Sequence, residues 1–368
     1  MGHALDKLTI KGFKSIKSLK DFELTSLNIL IGGNGAGKSN FVDFFRMLHA
    51  MMDGNLKNYI RKSGGIGDLL FNGRKATEKL EFITRFGERG YRFKIVSGAK
   101  EDFSITDESR YYEHGTSGWW GLGDSSDGTP LLAREVKSNK PDCRYGKPVY
   151  DAIASWQIYH FHDTSADAGM RHAEIIQDNK KLRFNGANIA PFLLKLKKQC
   201  NDIYNEITEA VRLVTPFFDD FLLDVEEFGE KQKVNLSWRQ KKTDYPMQPY
   251  HLSDGSIRFI CLATALLQPD PPATIIIDEP ELGLHPFAID ILGELVQSVS
   301  KKTQLIIATQ SAPFIDNFSI ENIIVVNRKN GASIFERLEE KNFNVWLENY
   351  SVGELWSKNV ISGGAVYE

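Results

Sequence analysis

The chain has 368 residues, with 45 Lys or Arg against 48 Asp or Glu, for a net charge of −3. Apolar residues are 42% and charged residues 25%, which excludes wholesale disorder and gives no global sign of a nucleic-acid sleeve or a membrane-surface binder. Three scattered cysteines, Cys143, Cys200 and Cys261, form no CxxC pair, so neither a disulfide framework nor a zinc ribbon is expected, and a reducing cytoplasm is the simplest setting.

At roughly 100–200 residues per domain, the length allows two or three domains or one large domain with insertions. The N-terminus has no apolar core of the signal-peptide kind, and the longest mostly apolar run, Phe259 to Leu267, is nine residues. That is less than half of a membrane-spanning helix, so no membrane insertion is expected.

Taken in chain order, residues 8–31 read as strands that stop at a glycine cluster. A helix follows, with Phe41, Phe44, Phe45, Leu48 and Met52 on one face and Gly54 as its stop. Residues 78–97 read as a hairpin around Gly87–Gly90. Residues 98–150 read as an irregular insertion, glycine-rich between His114 and Pro130, in which Trp119 and Trp120 anchor a local mini-core or form a ligand platform. The run 154–161 reads as a buried strand. Residues 190–214 read as one amphipathic helix ending before Pro216, its apolar spacing just long enough for a coiled-coil reading. Residues 258–267 continue a helix, and 274–278 and 304–309 are short apolar strands of the parallel-sheet kind.

Four segments carry chemistry. Gly32-Gly33-Asn34-Gly35-Ala36-Gly37-Lys38-Ser39 matches GxxxxGK[ST] between a strand and a helix. Glycines there let backbone N–H groups turn toward phosphates, Lys38 reaches the β- and γ-phosphates, and the Ser39 hydroxyl ligates Mg²⁺. Ile275-Ile276-Ile277-Asp278-Glu279 is a buried strand ending in two acids, which is costly unless they face a metal or a substrate. Asp278 would hold Mg²⁺ and Glu279 would orient and deprotonate an attacking water. Leu252-Ser253-Asp254-Gly255-Ser256 opens the next helix and reads either as a cap or as a phosphate sensor. Thr309-Gln310-Ser311 ends the following strand, where Gln310 is either a γ-phosphate sensor or a plain loop residue.

In this order the P-loop, LSDGS, DEPELGLHP and ATQS resemble ABC-class ATPase heads of the SMC and OLD kind, and a bacterial group of "AAA family" ATPases of about this length. WQIYHFHDTS and YSVGELWSKNV extend that resemblance over nearly the whole chain. It implies an α/β P-loop NTPase head, with ATP and Mg²⁺ as cofactors. Gly32 to Ser39 and Asn40 would hold the nucleotide. Ser253, Gly255 and His285 would complete the site, with Lys38, Glu279 and Gln310 as catalytic residues. Asp254 replaces the first glycine of LSGGQ, Gln310 stands where histidine is frequent, and no Gln-loop residue is evident: His162 or Asp163 would have to serve, and the position stays unassigned. The ELGLHP stretch departs from the DEPTxxLD of transporter subunits.

The expected organisation is 1–97 as the P-loop part, 98–150 as the insertion, 151–250 as a helical lobe, and 251–368 as the signature part. The expected function is an ATP-hydrolysing switch that dimerises head-to-tail around ATP. It would control a separately encoded effector, with a nuclease in defence against phage or foreign DNA as the leading reading. A DNA-binding repair ATPase and a transporter's soluble subunit are the rivals. The NKxD match at Asn139-Lys140-Pro141-Asp142 reads as chance, and the His160/His162 pair as packing more than a metal site.

Overall fold

The computed structural model describes residues 4–98, 102–113, 118–138 and 143–361. The NKPD segment, 139–142, lies outside them, as does His114.

A six-stranded sheet forms the centre. Its order across the sheet is Ala332–Arg337, Ile323–Lys329, Leu27–Ile31, Gln304–Thr309, Thr274–Asp278 and Gln157–Tyr159, all parallel except the antiparallel first strand. The inner strands are apolar at nearly every position because both faces are covered. Adjacent side chains go to opposite faces: Ile29, Ile31, Ile275, Ile277, Leu305 and Ile307 belong to one core, and Leu30, Ile276, Ile306 and Ala308 to the other.

The helix Lys38–Asp53 packs into the second core through Phe41, Phe44, Phe45, Leu48 and Met52, as its spacing predicts. Gly54, at φ 82, ends it in the left-handed conformation that glycine reaches without strain. The helix Asp254–Leu267 packs into the first core. The P-loop helix and the LSDGS helix therefore cover opposite faces of one sheet.

Over the second core lies an antiparallel sheet: Ile16–Glu23, Lys7–Phe13, Lys79–Phe86, Arg89–Ser97, Phe103–Tyr112 and Gly118–Ser125. Its middle is the expected hairpin. Its last two strands are a correction, because the described residues of 98–150 are not irregular; they extend the sheet and form the helices Leu131–Lys137 and Cys143–Ser155. The alternation is interrupted by register shifts on both sides of Glu108, a buried carboxylate. Glu108 accepts hydrogen bonds from Tyr91 Oη at 2.8 Å and from the N–H groups of Leu131 and Leu132 at 2.7 Å each, so a strand residue serves the free N-terminus of a helix 23 positions on. Nor do the tryptophans anchor a mini-core. Trp119 sits on the edge strand beside the guanidinium groups of Arg85 and Arg92, each 4.8 Å from its ring, and Trp120 is 52% exposed.

Two further expectations change. The 190–214 helix breaks at Cys200 into Ile189–Gln199 and Asn201–Val214. Asn201 and Asp202, residues suited to a helix start, mark the break, while the apolar stripe runs through both pieces into the first core. The strand expected over 154–161 pairs only over Gln157–Tyr159, because the helix Cys143–Ser155 runs up to it. Two three-stranded sheets, built from residues 174–175, 218–240 and 246–247, complete this side of the molecule.

Trp156 joins the antiparallel sheet to the P-loop helix: it is 1% exposed and lies 5.0 Å from Phe45 and 6.3 Å from Phe86 between ring centroids. Trp156→Ala should lower unfolding free energy by about 3–5 kcal/mol, the cost of a large aromatic cavity, as measured by urea denaturation.

Candidate functional site

The parallel register fixes where the site lies. Ile31 pairs with Thr309, and Ala308 with Asp278, so three strands end at one sheet edge. In open parallel sheets that carboxyl edge is where ligands bind. The segments following these ends are the P-loop, Asp278-Glu279 and Gln310.

The P-loop is held from outside. A side chain at Gly32 would overlap the Val326 carbonyl, so only glycine lets the loop lie against that strand. Ser333 Oγ donates to the Ala36 carbonyl at 2.5 Å and meets Ser15 Oγ at 2.6 Å. Asn40, expected to face the nucleotide, donates its amide to Ser15 Oγ at 2.7 Å and belongs to this outer brace. Asn34, Gly35 and Ser39 are exposed. Lys38 is 5% exposed, and its Nζ donates to the carbonyls of Gly32 at 2.6 Å and Gly33 at 3.3 Å. Among the described residues no carboxylate forms an ion pair with it. Burial pulls its pKa down, against the opposing pull of Glu279, Asp278 and Glu281. A buried ammonium that only carbonyls solvate fits an anionic ligand, and the exposed glycine backbone beside it fits phosphate.

Asp278 is 7% exposed, and burial raises its carboxyl pKa. Glu279 follows at φ 45, a left-handed conformation that costs a glutamate of order 1–3 kcal/mol. Its N–H still reaches Ala308 O at 2.8 Å, so the strand ladder continues while the side chain turns aside. There Gln310 Nε2 donates to Glu279 Oε1 at 2.8 Å. The structure thus brings Lys38, Asp278, Glu279 and Gln310 to one edge.

Two residues of this site had no assigned role in the sequence reading. Glu281 is folded beneath the end of the strand Gln304–Thr309: its Oε1 accepts from Thr309 Oγ1 at 2.5 Å and Gln310 N at 3.3 Å. Its signal was a third acid within four residues of a buried strand. His162 Nε2 lies 2.9 Å from the Asp278 carbonyl oxygen, bringing the loop after the edge strand onto the acid pair. The His160 ring lies against it, tilted, with centroids 3.9 Å apart, and its pKa falls to about 4 through burial, with His162 and Arg46 adding to the fall. Asp163 is committed to Ser165, and no group of three or more metal-type ligands occurs among the described residues.

Ser253 is the cap of its helix, accepting from Ser256 N at 3.1 Å, and it remains exposed. Gly255 is needed for contact: a Cβ there would stand 2.5 Å from the Gly283 carbonyl oxygen of the ELGLHP loop. His285 caps the following helix, with Nδ1 accepting from Phe287 N at 3.3 Å. Two arginines bind these loops together. Arg258 donates to the carbonyls of Phe161 at 2.9 Å and His162 at 3.0 Å. Arg171 reaches Thr164 O, Pro249 O and Leu252 O and pairs with Asp254.

A family model described as "AAA domain, putative AbiEii toxin, Type IV TA system" matches residues 27–317. No curated protein matches the chain. Among solved structures, an Smc head bound to the C-terminal winged-helix domain of ScpA is 18% identical with a TM-score of 0.58, covering 92% of this chain and 99% of that one. An Smc head with an extended coiled coil, bound to the C-terminal domain of ScpA derived from Pyrococcus furiosus, is 16% identical with a TM-score of 0.53, covering 94% and 98%. These likenesses show the fold: a P-loop NTPase head of the SMC type.

The native state holds the Asp278 proton more tightly than the unfolded chain does, since its pKa is raised by folding. The carboxylate therefore costs stability as pH climbs from about 4 through the raised pKa. Nucleotide-free Asp278→Asn should melt above the wild type at pH 7–8, with the gap closing toward about pH 4, as followed by thermal unfolding across pH.

Proposed function

The chain belongs to this AAA-domain family, and we propose that it binds and hydrolyses Mg²⁺–ATP and acts as a switch that closes head-to-tail with a second copy. The observation that carries this reading is Lys38, a buried ammonium paired with no carboxylate among the described residues, on the sheet edge where Asp278 and Glu279 emerge. Bound Mg²⁺–ATP supplies an electrophilic γ-phosphoryl group. Lys38 and the P-loop N–H groups hold the phosphates, and Ser39 and Asp278 hold the cation. Glu279 takes the proton of the attacking water. Gln310 orients by hydrogen bonding and carries no proton, since an amide does not titrate in this range.

The head-to-tail arrangement is supported by the opposite placement of the two helices. The P-loop helix and the helix capped by Ser253 cover different faces of the central sheet, and Ser253 is exposed. An exposed helix N-terminus with a hydroxyl is suited to a phosphate presented by a second copy. Gly255 against Gly283 and the His285 cap tie that terminus to the loop following Asp278 and Glu279. The family's description names a type IV toxin–antitoxin system, which supports a separately encoded partner protein. We assign a nuclease as the partner to test first, and a role in defence against foreign DNA.

Glu279→Gln should keep ATP binding, lower hydrolysis by about 10²–10⁴-fold, and accumulate as an ATP-dependent dimer in size-exclusion chromatography with light scattering. Hydrolysis at the wild-type rate would show that another group activates the water. Ser253→Arg should bind ATP as a monomer yet neither dimerise nor hydrolyse it. Mixed with Lys38→Ala, it should regain activity, because each mixed dimer holds one intact composite site. Normal hydrolysis by Ser253→Arg alone would remove the composite site from the model.

A further inference from the structure

We propose that Glu281 is a positioning residue for hydrolysis: it fixes the Thr309–Ser311 turn so that Gln310 holds the carboxylate of Glu279. This rests on the ATPase reading above and deepens it.

Three observations carry the assignment. First, Glu281 Oε1 is the shared acceptor of this turn. It takes Thr309 Oγ1 at 2.5 Å and Gln310 N at 3.3 Å, while Thr309 Oγ1 in turn accepts from Ser311 N at 3.0 Å. One carboxylate oxygen therefore constrains three consecutive residues. Second, Gln310 is gripped at both ends, its backbone by Glu281 and its side-chain amide by Glu279 at 2.8 Å. The left-handed turn at Glu279, followed by buried Pro280, brings both glutamates under the same neighbouring strand end. Third, Glu281 does its work at a cost. Its Oε2 is buried with no hydrogen-bond partner among the described residues, and burial raises its pKa. A carboxylate with one oxygen buried and unpartnered is poor stabilising material, so its presence points to a task other than holding the fold.

The physical consequence is specific. Gln310 has one amide and two demands on its position: its backbone must sit where the amide reaches Glu279, and the amide must keep one orientation. Glu281 meets the first demand. Without its acceptor, Thr309 Oγ1 and Gln310 N lose their partner and the turn gains freedom, while Lys38, Ser39 and Asp278 are untouched. Loss of Glu281 should act on the chemical step and not on nucleotide affinity.

The test compares Glu281→Ala, Glu281→Gln, Gln310→Ala and the double variant Glu281→Ala/Gln310→Ala in the full chain. Readouts are ATP hydrolysis with Mg²⁺, equilibrium ATP binding, and, without nucleotide, thermal unfolding and amide hydrogen exchange over residues 304–314. Glu281→Ala should lower kcat by about 10–100-fold, the usual reach of a supporting hydrogen-bond partner. Its KM should stay within about threefold, the pattern of an interaction used in the chemical step and not in binding. Glu281→Gln should recover most of the rate, since its amide oxygen still accepts. The double variant should be no slower than the slower single variant, because the two residues act as one unit. Nucleotide-free Glu281→Ala should exchange the Gln310 and Ser311 amides faster yet melt no lower than the wild type. A wild-type rate, a matching loss of ATP affinity, multiplicative losses in the double variant, or a lowered melting point that accounts for the lost activity would each overturn the assignment. A wild type lacking Glu279-dependent hydrolysis would instead overturn the ATPase reading and this role with it. Hydrolysis that depends on Glu279 and is indifferent to Glu281 overturns this role alone.

Discussion

The structure depends on the register of the central parallel strands. Leu27–Ile31 lies far from Gln304–Thr309 and Thr274–Asp278 in the sequence, yet the three pair so that Ile31 meets Thr309 and Asp278 meets Ala308. Because side chains alternate faces with a period of two, slipping one strand by a residue would send its isoleucines to the wrong core and move its polar end off the edge. The two hydrophobic cores enforce the register, and the register places Lys38, Asp278, Glu279 and Gln310 together. Folding and site assembly are one event in this chain.

Around that edge the protein accepts several local costs. Lys38 loses solvation for two carbonyl contacts, Asp278 and Glu281 are carboxylates in places that favour their neutral forms, and Glu279 adopts a backbone conformation suited to glycine. Each would be relieved by a conservative substitution. Their concentration on one sheet edge, against isoleucine-rich strands that show no such conflict, is what the proposed site would require. The outer braces tell the opposite story. Ser15, Ser333 and Asn40 satisfy one another, and Glu108 closes a distant helix start, so these buried and half-buried polar groups hold shape.

The second face of the sheet is coupled to this edge through loops and not through the core. Arg258 and Arg171 tie the LSDGS helix to residues 161–164, and His162 touches the carbonyl of Asp278. Gly255 lies against Gly283, just beyond the acids. A displacement of the exposed Ser253 terminus is therefore felt by the loops that border Asp278 and Glu279. On the proposed function, this is the route by which contact with a second copy would reach Asp278 and Glu279.

Local physics by itself determined a great deal about this protein. The GxxxxGKS loop needs its glycines for backbone reasons that no other residue meets, the apolar stripe from Phe41 to Met52 admits one face, and IIID and LIIAT suit only a buried sheet. These are short-range constraints, and they carried the fold class, the P-loop and the acid pair. Tertiary structure decided whatever depended on partners distant in sequence. The hydrogen bonds of Glu108 leave no mark in the sequence, because its partners lie 17 to 24 residues away. The hydrogen bond from Asn40 to Ser15 could not be read from the sequence, because 25 residues separate the two. Ser253 met the criteria for a cap and for a phosphate sensor alike. Glu281 was one acid among three until the strand from Gln304 came to rest above it, since a hydrogen bond to a residue 28 positions onward leaves no trace in spacing or periodicity.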